Sequence, residues 1–347
     1  MVLTTPVIRA IRRACPDARL AYLVESNSAA VIARNPHLDD VYVTPLLHGF
    51  ARVQEDMALA LRLRRERFDA VIDMHGGPRS SLLALATGAP VRIGYTIPGR
   101  GWMYTRRVER PRGHRDRHSV ENQWDLAEAL LPGIGRPSPA TDPVEMPDDA
   151  AASERLRRRL REAGIDESHD LIVVHTGAGN EFRCWPQGSF ARVVAALSSG
   201  APNRRIILTS GAAQARRTEL VRSLSERQGA PQGSILVACD LDLNELRSLV
   251  ERAILFVGGD SGPAHIAATT ATPMVVIYGP TTPTVWGPWR DPSLVTETVD
   301  AGPLPCRPCD QRVCEPGDFR CLRRLQPEAV VASANRAIER SRASRHG

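Results

Sequence analysis

Asp260, Ser261, Gly262 and His265 follow directly on an apolar run, Ile254-Leu255-Phe256-Val257, and a glycine pair, Gly258-Gly259. A carboxylate, a hydroxyl and an imidazole so placed could bind a phosphorylated ligand. Glycines at a strand-to-helix turn let backbone N–H groups approach it. The helix N-terminus adds a partial positive charge that favours phosphate. The plain alternative is that Asp260 and Ser261 cap a helix and His265 merely lies in its first turn. A second apolar run, Met274–Tyr278, closed by Gly279-Pro280-Thr281, makes capping alone a poorer account of the whole set.

Three further groups could do chemistry. Leu171–His175 reads as a buried strand running into Thr176-Gly177-Ala178-Gly179, again suited to phosphate, and Arg183 lies just beyond with a cation to offer. Trp185, two residues on, reads as core. Gly99–Arg117 carries Arg100, Arg106, Arg107, Arg110, Arg112, Arg115 and Arg117, either a solvated loop or a guanidinium-lined mouth for a phosphorylated sugar or lipid. Cys306, Cys309, Cys314 and Cys321 are dense for a chain in a reducing compartment. Their spacing allows a structural zinc held by four thiolates, an iron–sulfur cluster or incidental thiols.

The elements that must position these residues alternate. In the first half the pattern gives a helix over 7–13, strands at 20–24, 41–43 and 70–73, and helices over 57–68 and 122–131. In the second half it gives a charged helix over 151–163 and strands at 171–175, 205–210, 235–238, 254–257 and 274–278 with helices between. Such alternation predicts α/β architecture with parallel sheets. Pro132–Asp149, rich in Pro, Gly and Asp, is the natural linker. The expected division is 1–135, a linker over 136–150, a second domain over 151–338 that includes the Cys-rich 306–321, and a disordered tail over 339–347.

The 347 residues suffice for two domains with cores. No run of 18 apolar residues suggests a membrane span, and no secretory signal opens the chain, so a cytoplasmic protein is expected. All 45 basic residues are Arg, which excludes Schiff-base chemistry and a P-loop lysine. The net charge of +6 points to an anionic partner. No recognition helix or aromatic RNA-binding signature argues for nucleic acid. A dehydrogenase is disfavoured, because no G-x-G-x-x-G follows a strand with an acidic residue downstream.

The runs DSGPAHIAA and TPMVVIYGPT, the loop HTGAGNEFRCWP and the opening VLTTPVIRAIRRACPDARLAYLVE together resemble glycosyltransferase family 9, the ADP-heptose:lipopolysaccharide heptosyltransferases. The resemblance extends from Val2 to about Ile338. It implies a GT-B fold, two Rossmann-like domains facing across a cleft. It also implies inverting transfer of a heptose or similar sugar from an ADP-sugar to a lipopolysaccharide-core or other anionic glycolipid acceptor. Such an enzyme requires no cofactor for catalysis and could contact the inner face of the membrane peripherally.

On this resemblance Thr176, Gly177, Arg183, Asp260, Ser261, Gly262 and His265 bind the donor, and Arg79, Arg100, Arg106 and Arg107 the acceptor. Arg183 stands where the family usually has Lys. Ala212-Ala213-Gln214 stands where an acidic residue often reads the nucleoside. In the family a first strand and a Gly-Asp turn precede the VLTTP-like run, and that aspartate is the proposed general base. Neither precedes Val2 here, so the catalytic residue is unassigned, with Asp73 and His75 as weak substitutes. The two readings of that gap are a misplaced start codon and a catalytically impaired nucleotide-sugar-binding protein.

Overall fold

Strand-forming runs of Val, Ile and Leu alternate along this chain with segments of helical period, and each run becomes a strand of a parallel sheet. The computed structural model describes residues 1–109, 117–307, 309 and 311–346. They divide into two compact units, Leu3–Asp142 and Pro143–Gly347.

The first unit comprises α1 (Thr5–Ala14), β1 (Ala21–Glu25), β2 (Asp40–Thr44), α2 (Gly49–Arg65), β3 (Ala70–Ile72), α3 (Pro78–Ala86), β4 (Val91–Tyr95), β5 (Arg106–Val108) and α4 (Ser119–Leu130). Its strands form two separate parallel ladders, β1–β2 and β3–β4–β5. Pro6 sits in the first turn of α1, where its missing N–H costs nothing. Helix α4 opens on a reciprocal cap: His118 Nδ1 accepts from Val120 N–H while Glu121 accepts from His118 N–H. Strands β4 and β5 were not read from the sequence. Arg106 and Arg107 therefore stand on a strand, where the sequence suggested a loop. Arg110, Arg112 and Arg115 lie outside the described residues.

The second unit comprises α5 (Ala150–Glu162), β6 (Asp170–His175), α6 (Gln187–Ser198), β7 (Arg204–Thr209), α7 (Ala215–Arg227), β8 (Ile235–Val237), α8 (Leu243–Arg252), β9 (Leu255–Gly259), α9 (Gly262–Ala267), β10 (Met274–Tyr278), α10 (Pro283–Trp286), β11 (Thr296–Asp300), α11 (Arg320–Arg323) and α12 (Pro327–His346). One six-stranded parallel sheet runs in the order β11-β10-β9-β6-β7-β8. Strands β9 and β10 are buried along their whole length, and β6 is nearly so. Helices α6 and α12 supply Phe190, Val194, Val330 and Ala334 to the core cluster that holds Val174, Val257 and Ile277. Each fully buried Val, Ile or Phe side chain there stabilises the fold by roughly 1.5–3 kcal/mol.

Two expectations change. The second half of the expected linker is fastened to the second unit. Val144 N–H donates to the Trp289 carbonyl, Arg247 donates to the Met146 carbonyl, and Asp149 caps α5. The tail expected to be disordered continues α12 as helix through His346. Composition suggested disorder there, but Arg336 and Arg340 anchor this helix to Glu297 on β11.

Candidate functional site

In an open parallel sheet the loops leaving the carboxyl ends of the strands form the usual binding crevice. In the second unit those loops follow β6, β7, β9 and β10. They hold the residues that the sequence singled out there.

Asp260 follows the end of β9 and is buried, 3% exposed. It does not cap α9. The cap position belongs to Ser261, whose hydroxyl donates instead to the Gly259 carbonyl at 3.1 Å. Asp260 Oδ2 makes no hydrogen bond, and the Arg183 guanidinium lies 3.5 Å from it. Burial pushes the Asp260 carboxyl above its ordinary value, opposed by the Thr281 hydroxyl and Arg183. His265 Nε2 lies 3.9 Å from Asp260 Oδ1. Gly262 has open space where a side chain would stand. Helix α9 covers Gly262–Ala267. Arg290 braces the segment that follows it, donating to the Thr270 and Thr272 carbonyls.

Arg183 reaches Asp260 because two backbones meet closely. A Cβ placed on Gly259 would lie in contact with the Arg183 carbonyl, 3.4 Å away. Asn180 starts the turn by accepting from Phe182 N–H, and Trp185 anchors its end in the core, donating to the Leu322 carbonyl at 3.1 Å. Trp185 is the packing residue that the sequence suggested, set edge-on to Phe190 at 5.1 Å. Arg183 is partly exposed, so its remaining N–H groups can reach a ligand.

Of the loop after β6, Gly177 is required by packing: a side chain there would collide with Gln214. Gln214 in turn donates to the Ala178 carbonyl. Thr176 is turned inward. Its N–H donates to the Thr209 carbonyl and its hydroxyl bonds Thr218, so it holds the loop and leaves no N–H for phosphate. His175, fully buried beside Thr209, is pushed down to about 4 by burial and is neutral at pH 7.

Sequence reasoning missed Gln311. Its side chain accepts from Arg183 Nε at 2.7 Å, across 128 positions of chain. The Cys-rich segment is thus a brace for the two loops of the site. Phe319 packs on Phe182 at 5.2 Å, Cys309 N–H donates to the Pro280 carbonyl, and Arg307 donates to the Thr281 carbonyl. Its four cysteines are free thiols. Burial and the other three sulfurs push the Cys321 thiol up. Cys314 accepts from Phe319 N–H, and Cys321 packs in the core. Among the described residues no three Cys, His, Asp or Glu side chains converge as metal ligands.

In the first unit Asp73 is buried and fully engaged. It accepts from His75 N–H, from Gly76 N–H and from the Tyr104 hydroxyl, the last at 2.6 Å. Burial, and after it that bond, pushes the Tyr104 phenol well up. Asp73 shapes the loop that carries exposed His75, which makes it a poor substitute base. Arg79 is held by Glu25, Asp56 and the Thr44 hydroxyl. Arg100 donates to the Gly76 carbonyl and Arg106 to the Ala129 carbonyl, while Arg107 is exposed.

Residues 57–316 match the family model of glycosyltransferase family 9 (heptosyltransferase). The chain is 27% identical to lipopolysaccharide heptosyltransferase 3 of Escherichia coli over 316 residues, 90% of this chain and 89% of the relative. Among solved structures it is similar to a family 9 glycosyltransferase from Veillonella parvula, with TM-score 0.79 and 19% identity over 97% of this chain and 93% of that one. It is also similar to E. coli ADP-heptose LPS heptosyltransferase II, with TM-score 0.75 and 17% identity over 99% and 96% of the two chains. These likenesses carry the fold, α/β with parallel sheets of the GT-B class.

Proposed function

The chain belongs to glycosyltransferase family 9, and from that membership we propose that it transfers a heptose from ADP-heptose to a lipopolysaccharide-core or other anionic glycolipid acceptor, with inversion at the anomeric carbon. The observation that supports the donor half is the Asp260–Arg183 pair at the carboxyl end of β9. Breaking the bond between sugar and diphosphate leaves negative charge on the departing ADP. A fixed guanidinium in a partly desolvated loop stabilises that charge without reorganising at the moment of reaction. Arg183 is fixed by Gln311 on one side and Asp260 on the other. Asp260 Oδ2, buried without a hydrogen bond, is ready to accept from a sugar hydroxyl. His265 stands beside it for a sugar or phosphate contact. Gly262, with open space where a side chain would stand, lets a diphosphate approach the backbone, and the Ser261 hydroxyl is turned away to the Gly259 carbonyl.

The acceptor half is supported by the names of the relatives and by the basic residues Arg100, Arg106 and Arg107 of the first unit. Among the described residues no helix is long and apolar enough to cross a membrane.

Incubating the purified chain with ADP-heptose and a lipopolysaccharide-core acceptor tests the reading. Mass spectrometry should show one heptose added and ADP released. ADP-heptose left intact while another nucleotide sugar is consumed would overturn the donor assignment.

A further inference from the structure

Helix α2 carries two apolar faces, where a surface helix ordinarily carries one. The inward face is conventional: Leu59 and Leu63 pack with Tyr42 and Leu83. The outward face bears Phe50, Val53, Met57 and Leu61, which are 75%, 54%, 63% and 58% exposed. Their spacing of three, four and four residues aligns them in one stripe along a helix about 25 Å long. Exposed apolar stripes of this extent mark interaction surfaces.

The charges around the stripe select the partner. Arg64 continues it three residues past Leu61, and Arg65 flanks it; both are exposed. The helix's carboxylates are directed elsewhere. Asp56 is bound by Arg79, and Glu66 by Arg19. Glu55, two positions from Met57, projects from the opposite side. An apolar stripe with arginines and no carboxylate is the composition of a helix that lies in a bilayer interface, its apolar side chains among acyl chains and its cations among anionic headgroups.

We propose that the outward face of α2 docks this protein on an anionic phospholipid surface. Phe50, Met57 and Leu61 would enter the acyl boundary, and Arg64 and Arg65 would bind headgroup phosphates. The proposal gives the glycolipid-acceptor reading a place of action, but it is tested without any acceptor. A failed transferase assay would therefore leave it standing.

The experiment is flotation of the full chain with vesicles of phosphatidylcholine alone, and with vesicles containing phosphatidylglycerol. The chain should float with the anionic vesicles and be released by high salt. Phe50→Ser/Met57→Ser/Leu61→Ser should float at least ~10-fold less at an unchanged melting temperature, because all three side chains already face solvent. Arg64→Ser and Arg65→Ser should each weaken anionic-vesicle binding about fivefold. Equal flotation of the wild type and the triple variant, or flotation indifferent to lipid charge, would overturn the proposal. So would a wild type that ignores vesicles and forms a dimer which the triple variant loses, since a second copy would then be the occupant.

Discussion

Asp260 is a buried carboxylate whose oxygen Oδ2 accepts no hydrogen bond, an arrangement that costs stability unless a ligand uses it. Its folded pKa is raised by burial above the ordinary 3.8. The folded state therefore holds more protons than the unfolded one between 3.8 and that raised value, and stability falls as pH rises through the window. Asp260→Asn should remove this slope and keep or raise the melting temperature at pH 7, while nucleotide-sugar affinity drops. A lower melting temperature with unchanged affinity, measured by thermal shift and calorimetry, would make the residue structural. His175 has the opposite sign. Its folded pKa of about 4 lies below the ordinary 6.5, so its stabilising contribution is complete above 6.5 and is lost as pH falls toward 4. That shift is worth about 3 kcal/mol. A neutral isostere, His175→Gln, should flatten the acid limb of the stability profile. An unchanged limb would show that another group sets it.

At the scale of elements, the Cys-rich segment and the loop after β6 act as one piece. Arg183→Ala should raise the donor dissociation constant by about 1.5–3 kcal/mol, the range for a hydrogen bond to a charged group, with a much smaller effect on an unphosphorylated nucleoside. Equal losses for the two ligands would show that Arg183 does not touch phosphate. Gln311 acts only through Arg183, by holding Nε. Gln311→Ala should therefore weaken donor binding less than Arg183→Ala does, and should add nothing in the Arg183→Ala background. Additive losses in that double-mutant cycle would mean that Gln311 contacts the donor directly.

At the scale of the molecule, the two units differ in how completely their sheets are buried. The six-stranded sheet of the second unit has four buried or nearly buried inner strands, β10, β9, β6 and β7, and helices that bring apolar faces to it. In the first unit β1 and β3 belong to separate ladders, and most of their residues are only half-buried. Expressed alone, residues 143–347 should unfold cooperatively and bind ADP, because both donor-site loops and their Cys-rich brace lie within it. Residues 1–142 alone should be much less stable. An unfolded second-unit fragment would show that the unit does not fold on its own, and a folded one blind to ADP would show that the first unit completes the donor site.

By itself the sequence determined the class of fold and the family. Alternating apolar runs and helical periods are local signals, and Asp260, Ser261, Gly262 and His265 lie so near one another along the chain that their meeting at the end of β9 needs no long-range information. Gly177 and Trp185 were legible for the same reason, as a glycine after a strand and an indole before a helix. Tertiary structure alone decided which of these groups are available. Thr176 spends its N–H and hydroxyl on Thr209 and Thr218, and Asp73 spends its oxygens on Tyr104 and its own loop. Gln311 reaches Arg183 from far along the chain, and Cys321 enters the core while Cys314 accepts from Phe319 N–H. A residue type states what a side chain can bond. Which partner it bonds is set by chain segments brought together from a distance, and no local pattern records that.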